Sequence, residues 1–569
     1  MVDRFRLDNE KSERSGGRRG FSVLLLIAAV LAIAAALLLP NDQSRLTLGA
    51  FAAVPIELLV LIIALAILPG VIRPLIRWGA AILLAIVLIV KLADMAAFEA
   101  MARPFNPVLD AHLLNAVWDL AVGTLGQAAA IGLTIAVVLL IGLIIVLSGV
   151  LVGITASGVR RHRLSAVIIA GALLLVGWQV PTLYPQSQNL HFLTASTTGL
   201  MERHATSFAA SLKDLEEFDR EASNDPAADI ADDVLMSRLG GRDVLLFFVE
   251  SYGRTVLDNP LYAPSIRPLL TQLGQTVDDH GLHAASGFLT SPVSGGQSWL
   301  GHASTLAGLW VDNQRRYNSM LVKNRQTLVD DFNRAGYRTV AVMPAITMAW
   351  PEGTALGYDV VYDEPNLGYE GLPFNWVTMP DQYTLSALDR FERLADRDEP
   401  LFAEVALISS HAPWTPIPRV IDWEAVGDGS VFSEQAQDGA TPQEVWADPE
   451  RVRTQFRLSI EYALENLDSY IAERLADEFV LIILGDHQPA RIITGETDNR
   501  DVPIHIISDD AQIVLDLSEA LGFTAGMTPP DDAVAERMGV FRGRVVETLS
   551  SPPGTRNDGV AGTRSIGPT

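Results

Sequence analysis

Residues 245–254 read LLFFVESYGR, and residues 479–489 read FVLIILGDHQP. Each is an apolar run of strand length that stops on a carboxylate: Glu250 in the first, Asp486 with His487 behind it in the second. An unbroken apolar run bounded by turn residues is the pattern of a strand covered on both faces. RTVAVMP, LFAEVALIS and VPIHIIS repeat it, separated by amphipathic stretches such as PLLTQLGQTVDDHG, RQTLVDDFNRAG and 453–476. Strands alternating with helices predict an α/β domain with a mostly parallel central sheet. Ligands of such sheets bind beyond the carboxyl ends of the strands. Glu250, then Ser409, Ser410 and His411, then Asp486 and His487 are therefore expected in one place.

Two carboxylates and an imidazole suit a divalent cation, and Mn2+, Zn2+ and Mg2+ all accept such a set. Without a cation, neighbouring carboxylates repel and one tends to keep its proton. Taken singly, each residue also reads as a strand-end cap or half of an ion pair; their convergence favours the metal. The stretch TSPVSGGQSWLGHASTLAGLW (290–310) places Ser298 after an open glycine turn, where a helical pattern begins. Serine there is either an N-cap or a nucleophile near a helix N-terminus that attracts phosphate. Thr290, Ser291 and Ser294 are weaker rivals. His302, four residues on, either faces the same pocket or packs within its helix.

The first 184 residues are of another kind. Apolar stretches at 21–40, 48–70, 78–98, 126–154 and 164–183 each approach the ~20 residues that cross a bilayer as a helix. They predict a five-helix transmembrane bundle, its first helix retained rather than cleaved. Cations cluster before the first stretch (Arg4, Arg6, Lys11, Arg14, Arg18, Arg19), at Arg73 and Arg77, and at Arg160, Arg161 and Arg163. The positive-inside rule puts the basic tail 1–20 in the cytoplasm and everything after about residue 184 outside the inner membrane. Short interfacial helices are expected near 99–125. Glu57, Lys91 and Asp94 lie in or beside spans, and Lys91 and Asp94, three apart, are expected to pair. Residues 185–240 read as a linker, 241–548 as the catalytic domain, and 549–569 as a disordered tail.

Composition narrows the functions. Of 569 residues, 67 are Asp or Glu and 42 are Lys or Arg, a net charge of −25, which disfavours nucleic acid as a partner. The chain has no cysteine, which excludes disulfides, thiolate metal sites and a formylglycine made from cysteine. A transporter is a poor fit, because the spans lack paired broken helices.

The membrane spans, VESYG, the glycine turn before Ser298, SSHAPW and GDHQP together resemble the sulfatase-like branch of the alkaline phosphatase superfamily. Lipoteichoic acid synthases and related phosphoglycerol or phosphoethanolamine transferases share this arrangement. The resemblance implies one metal ion held by Glu250, Ser298, Asp486 and His487. It makes Ser298 the nucleophile, and His411 the contact to the phosphate or the acid for the leaving alcohol. It implies a membrane phospholipid as donor and a glycan or polyol as acceptor. Trp350, His302, Arg254 and Arg315 are candidate substrate contacts, and Arg316 a further cation; Glu352 stands where the relatives carry a cation. The segment 412–450 is either an acceptor wall or a surface excursion. A phosphate- or sulfate-ester hydrolase and a catalytically inactive sensor or scaffold are the alternative functions.

Overall fold

The computed structural model describes residues 21–550 except 102, 108, 111–117, 119–121, 123–125, 184–191, 324, 349 and 476–477. The basic tail 1–20, most of the expected interfacial segment near 99–125 and nearly all of the tail 549–569 lie outside the described residues. The chain divides into two compact units, one ending at Lys213 and the other beginning at Asp214 apart from Ala100–Ala102.

The first unit contains five apolar helices: α1 (Phe21–Leu38), α2 (Ile56–Ile67), α3 (Arg73–Met101), α4 (Gln127–Arg161) and α5 (Arg163–Leu183). Among the described residues, α1, α3 and α4 are long and apolar enough to cross a membrane; α2 and α5 are shorter apolar helices. The second stretch yields just 12 helical residues, because Gln43–Arg45 and Leu48–Phe51 form separate 3-10 turns ahead of it. Its Pro55 caps α2 and blocks N-terminal extension.

Lys91 and Asp94 are not an ion pair among the described residues. Lys91 Nζ donates to the carbonyls of Leu37 (2.6 Å) and Ala36 (3.3 Å), the unsatisfied acceptors at the end of α1. Asp94 accepts from Asn41 (2.7 Å), the Phe105 amide (3.0 Å) and His204 (3.0 Å). Helical spacing made the local pair plausible, but polar groups distant in sequence within an apolar bundle took both side chains. Glu57 accepts from the amide and hydroxyl of Thr198 at 2.9 Å each. Much of the expected linker is one helix, α6 (Ser196–Ala222).

In the second unit nine strands form one sheet. They are β1 (Asp243–Val249), β2 (His283–Thr290), β3 (Arg338–Met343), β4 (Val360–Asp363), β5 (Leu401–Leu407), β6 (Phe479–Gly485), β7 (Asp501–Ser508), β8 (Thr524–Ala525) and β9 (Glu536–Arg537). Their order is β8-β2-β7-β6-β1-β5-β3-β4, with β9 also on β2. The sheet is mixed: β6-β1-β5-β3-β4 is a parallel block, while β7 runs antiparallel to β6 and β2 antiparallel to β7. The chain between β6 and β7 has only the four-residue helix Arg491–Thr494 and no long helix to carry it back across a face, so the strand returns in the opposite sense.

Period two in the strands feeds two cores. Leu245, Phe247 and Val249 face one, Val244, Leu246 and Phe248 the other. The first core lies under α7 (Ala263–Asp279), and the second under α8 (Ser298–Ala307) and α9 (Leu328–Arg334). Also over the first core lie α10 (Asp381–Leu388) and α11 (Pro449–Glu473); the second also has α12 (Ala511–Leu521) and α13 (Phe541–Leu549).

The closing helix α13 is pinned by charge. Arg542, 1% exposed, forks onto Asp331 of α9 at 2.7 and 3.1 Å and reaches both oxygens of Asp225 at 2.9 Å. Removing one partner of such a buried cluster strands the opposite charge, at a cost of roughly 3–5 kcal/mol. Arg542→Met is expected to destabilise the domain by about that amount, read as a lowered denaturation midpoint with an unchanged denaturant slope.

Candidate metal and nucleophile centre

Register sets the site. Val249 of β1 pairs with Leu407 of β5 on one side and with Gly485 of β6 on the other, so three parallel strands finish level. The next residues, Glu250, Ile408 and Asp486, leave the sheet together. The turn after β1 is tight: Ser251 has φ 57°, and its amide donates to Asp486 Oδ1 at 2.8 Å. A β-carbon on Gly485 would sit 1.9 Å from the Tyr252 carbonyl oxygen, and one on Gly253 2.0 Å from Gln488 Oε1. Only glycine permits that approach of the two strand ends.

Glu250, Asp486 and His487 each offer a ligand atom within 4.8 Å of the others, and all three are buried. His487 Nε2 lies 3.4 Å from Glu250 Oε1 and 3.7 Å from Asp486 Oδ2. Its Nδ1 donates to the Gln488 carbonyl at 2.8 Å, which leaves the Nε2 lone pair facing the carboxylates in the neutral ring. Ser298 completes the group. Its Oγ is 3.0 Å from Glu250 Oε2 and 3.1 Å from His487 Nε2. The helix α8 begins at Ser298, and Gln297, at φ 67°, occupies the cap position. The hydroxyl therefore does not cap its helix; it is turned into the cluster. A left-handed Gln297 and a left-handed Ser251 flank the site, and such strain in non-glycine residues concentrates at functional centres.

The hydrogen-bond arithmetic is short of positive charge. Besides the Ser251 hydroxyl on Glu250 and the Ser251 and His487 amides on Asp486, the two carboxylates and the imidazole share only the Ser298 hydroxyl proton. Burial raises the Asp486 carboxyl, and the charge of Glu250 raises it further, to about 6. Glu250 is also pushed up by burial, but the charges of His487 and His411 hold it well below the ordinary range. His487 is raised, since Asp486 and Glu250 outweigh its own burial. The set keeps a proton because nothing else neutralises it. Three oxygens and one imidazole nitrogen, crowded and charge-deficient, fit a single divalent cation.

The other expected residues divide. His411 lies in the turn after β5, exposed, with Nδ1 donating to the Ala412 carbonyl at 2.6 Å and its charge felt at Glu250. His302 faces Glu404 at 2.7 Å, and its charge reaches Asp486. Arg254 is taken by Asp258 (2.9 Å), Asp501 (3.3 Å) and the ring of Phe288, so its expected substrate role is not supported. Arg316 is held by Asp214 and the Trp310 carbonyl. Arg315, in the helix Gln314–Val322, and Trp350, half-buried against the second core, make no described contact with the four clustered residues. Thr290 and Ser291 are committed to Asp501 and to the Asp486 carbonyl, each at 2.7 Å, which removes them as rival nucleophiles.

Sequence reasoning missed Ser251, whose hydroxyl holds Glu250 Oε1 at 2.8 Å, and Gln488, which supplies the carbonyl that fixes His487. It saw Ser410 at the strand end but not its bond to the Glu250 carbonyl at 2.5 Å. The signal was present in each case, a small polar residue beside a strand-terminal ligand.

Residues 243–500 match the family model described as Sulfatase. The match falls within the second unit. Among curated proteins none matches the chain. Among solved structures, the chain is similar to the lipoteichoic acid synthase LtaP of Listeria monocytogenes, at 15% identity over 48% of this chain and 67% of that one, with a TM-score of 0.34. It is also similar to the C-terminal periplasmic domain of EptC from Escherichia coli (15% identity, 52% and 88% covered, TM-score 0.34). The Streptococcus pyogenes phosphoglycerol transferase GacH, in complex with sn-glycerol-1-phosphate, shares 13% identity over 59% of this chain and 91% of that one, at a TM-score of 0.34.

Metal binding must expel the proton that the empty cluster holds. With Asp486 raised to about 6, affinity for Mn2+ is expected to fall about tenfold for each pH unit below that value and to level off above it, measured by the free-Mn2+ resonance at pH 5 to 8. In metal-free protein the linkage has the opposite sense. The folded carboxyl titrates above its ordinary 3.8, so its contribution to stability is lost as pH rises through about 6.

Proposed function

We propose that the chain is a membrane-anchored, metal-dependent phosphotransferase working outside the cytoplasm. It moves a phospho-alcohol group, phosphoglycerol or phosphoethanolamine, from a phospholipid to a glycan or polyol through a covalent ester on Ser298. One observation carries this reading. The Ser298 hydroxyl is withdrawn from helix capping and pointed between Glu250 and His487, at the open N-terminus of α8. Orientation rests on the arginine clusters of the sequence.

Glu250, Ser298, Asp486 and His487 would hold one Mn2+, Zn2+ or Mg2+ ion. When bound, it supplies the charge that lowers the pKa of the serine hydroxyl and offsets that of the phosphoryl oxygens. Ser298 Oγ forms a bond to phosphorus as the bond from phosphorus to the lipid glycerol oxygen breaks. The leaving diacylglycerol takes its proton from His411, whose Nδ1 is engaged with Ala412 and whose Nε2 is the atom left to exchange one. In the second half the acceptor hydroxyl bonds phosphorus and the Ser298 ester breaks. The acceptor proton goes to His411, and Ser298 would depart as the same alkoxide in which it began the cycle, so one His411 proton closes both halves. The tethered domain meets its lipid donor at high effective concentration.

A hydrolase, with water as acceptor, is the second reading. Glu352 in place of the relatives' cation and the engagement of Arg254 weaken the case for a phosphoglycerol headgroup. Assaying group transfer against release of free phosphate or phospho-alcohol separates the two.

Incubation with native lipid in the absence of acceptor is expected to add the mass of the transferred group to the intact protein, at Ser298. Ser298→Ala should abolish the adduct and lower turnover by ~10³-fold or more. Turnover unaffected by that substitution, in a protein that binds no metal, would instead indicate a sensor or scaffold.

A further inference from the structure

Glu404 is anomalous. It lies in the middle of β5, opposite Leu246 of β1 and Ala341 of β3, in the most apolar part of the sheet, and is 1% exposed. A lone buried carboxylate there is costly unless it is paired and hydrogen-bonded. Both its oxygens are taken. Oε1 receives His302 Nδ1 at 2.7 Å, and Oε2 receives the Tyr358 hydroxyl. Burial, then the charge of Glu404, hold the Tyr358 phenol far above its usual value, so it remains a donor. No Lys or Arg pairs with Glu404 among the described residues; its ion-pair partner is His302.

His302 is held on two sides. Glu404 fixes its edge, and Phe248 of β1 stacks on its face at 3.7 Å and 17°. Its Nε2 has no hydrogen-bond partner among the described residues, yet is not one of the buried unpartnered atoms, and the side chain is 14% exposed. The ring stands one helical turn after Ser298 on the same face of α8. That helix lies hard against the end of β6: a β-carbon on Gly301 would be 2.7 Å from the Asp486 carbonyl oxygen. A clamped imidazole with one free nitrogen, next to a nucleophile and over a buried counter-charge, is more than packing requires.

We propose that His302 is a substrate-contacting residue that donates Nε2–H to a non-bridging oxygen of the phosphoryl group at Ser298, and that Glu404 and Tyr358 are its positioning residues. This rests on the phosphotransferase reading above. It supplies a recognition donor on the nucleophile side, where Arg254 and Arg316 are engaged elsewhere. The ligand class is a tetrahedral phosphoryl oxyanion.

The test uses the full chain in detergent, loaded with Mn2+ and titrated with inorganic phosphate. His302→Gln is expected to weaken phosphate at least tenfold while Mn2+ affinity changes less than threefold. Glu404→Gln should match it, and the double variant should be no weaker than His302→Gln alone, because both changes remove one interaction. In lipid turnover the pair should lower kcat/KM together, with a similar melting temperature. Wild-type phosphate affinity in Glu404→Gln, or additive losses in the double variant with a lowered melting temperature, would reduce the pair to a structural seam and overturn the proposal. Wild-type protein that binds neither Mn2+ nor phosphate would overturn the parent reading as well. Tight binding of both by the wild type, unchanged in His302→Gln, would overturn this inference alone.

Discussion

Two carboxylates forced together without a balancing charge are the constraint on which this domain turns. Glu250 and Asp486 come from strands more than two hundred residues apart in sequence, yet the ladder between β1 and β6 leaves them no freedom to separate. Everything nearby serves to keep them close. Gly253 and Gly485 remove the side chains that would hold the strand ends apart. Ser251 donates by its amide to one carboxylate and by its hydroxyl to the other. Ser291 and Ser410 tie down the backbone carbonyls of the same two residues. Such effort against Coulomb repulsion is hard to account for by stability, and a cation resolves it.

The support extends outward in shells of diminishing charge. Tyr252 reaches the buried His505 at 3.2 Å, and His505 meets Ser286 of β2 at 2.8 Å. Burial drops the His505 ring to about 3, so this relay is neutral and acts by geometry alone. On the other side Asp381, at the start of α10, exchanges hydrogen bonds with Ser409: its own amide donates to the hydroxyl, and the Ser409 amide to its carboxylate, both at 2.9 Å. That exchange braces the turn bearing Ser410 and His411. Positions of the reacting groups are thus set by backbone ties as much as by side-chain contacts.

Much of the site was legible in the sequence because strands buried on both faces leave a plain signature. In DVLLFFVE or FVLIILGDH the first polar residue after the run marks the strand end, and the end marks the crevice. Features that leave no such contrast were lost. The strand His283–Thr290 (HAASGFLT) is built from small residues and carries no apolar run. Strand direction is not written in composition, so the antiparallel return of β7 could not be read. The second apolar stretch was long enough to span, but hydropathy does not register the turns that break it. Lys91 and Asp94 suggested each other by spacing, whereas their partners come from far along the chain. Glu404 was in plain view within LFAEVALIS, and a single polar residue in a strand reading is easily absorbed. Arg254 was chosen for chemical type, which says nothing about prior engagement.

The Glu404 seam has one more consequence. Hydrocarbon of equal volume in the place of Glu404, His302 and Tyr358 would pack better and cost less to desolvate. A procedure that redesigned this domain for thermal robustness alone would erase those three positions early, and the product would fold well.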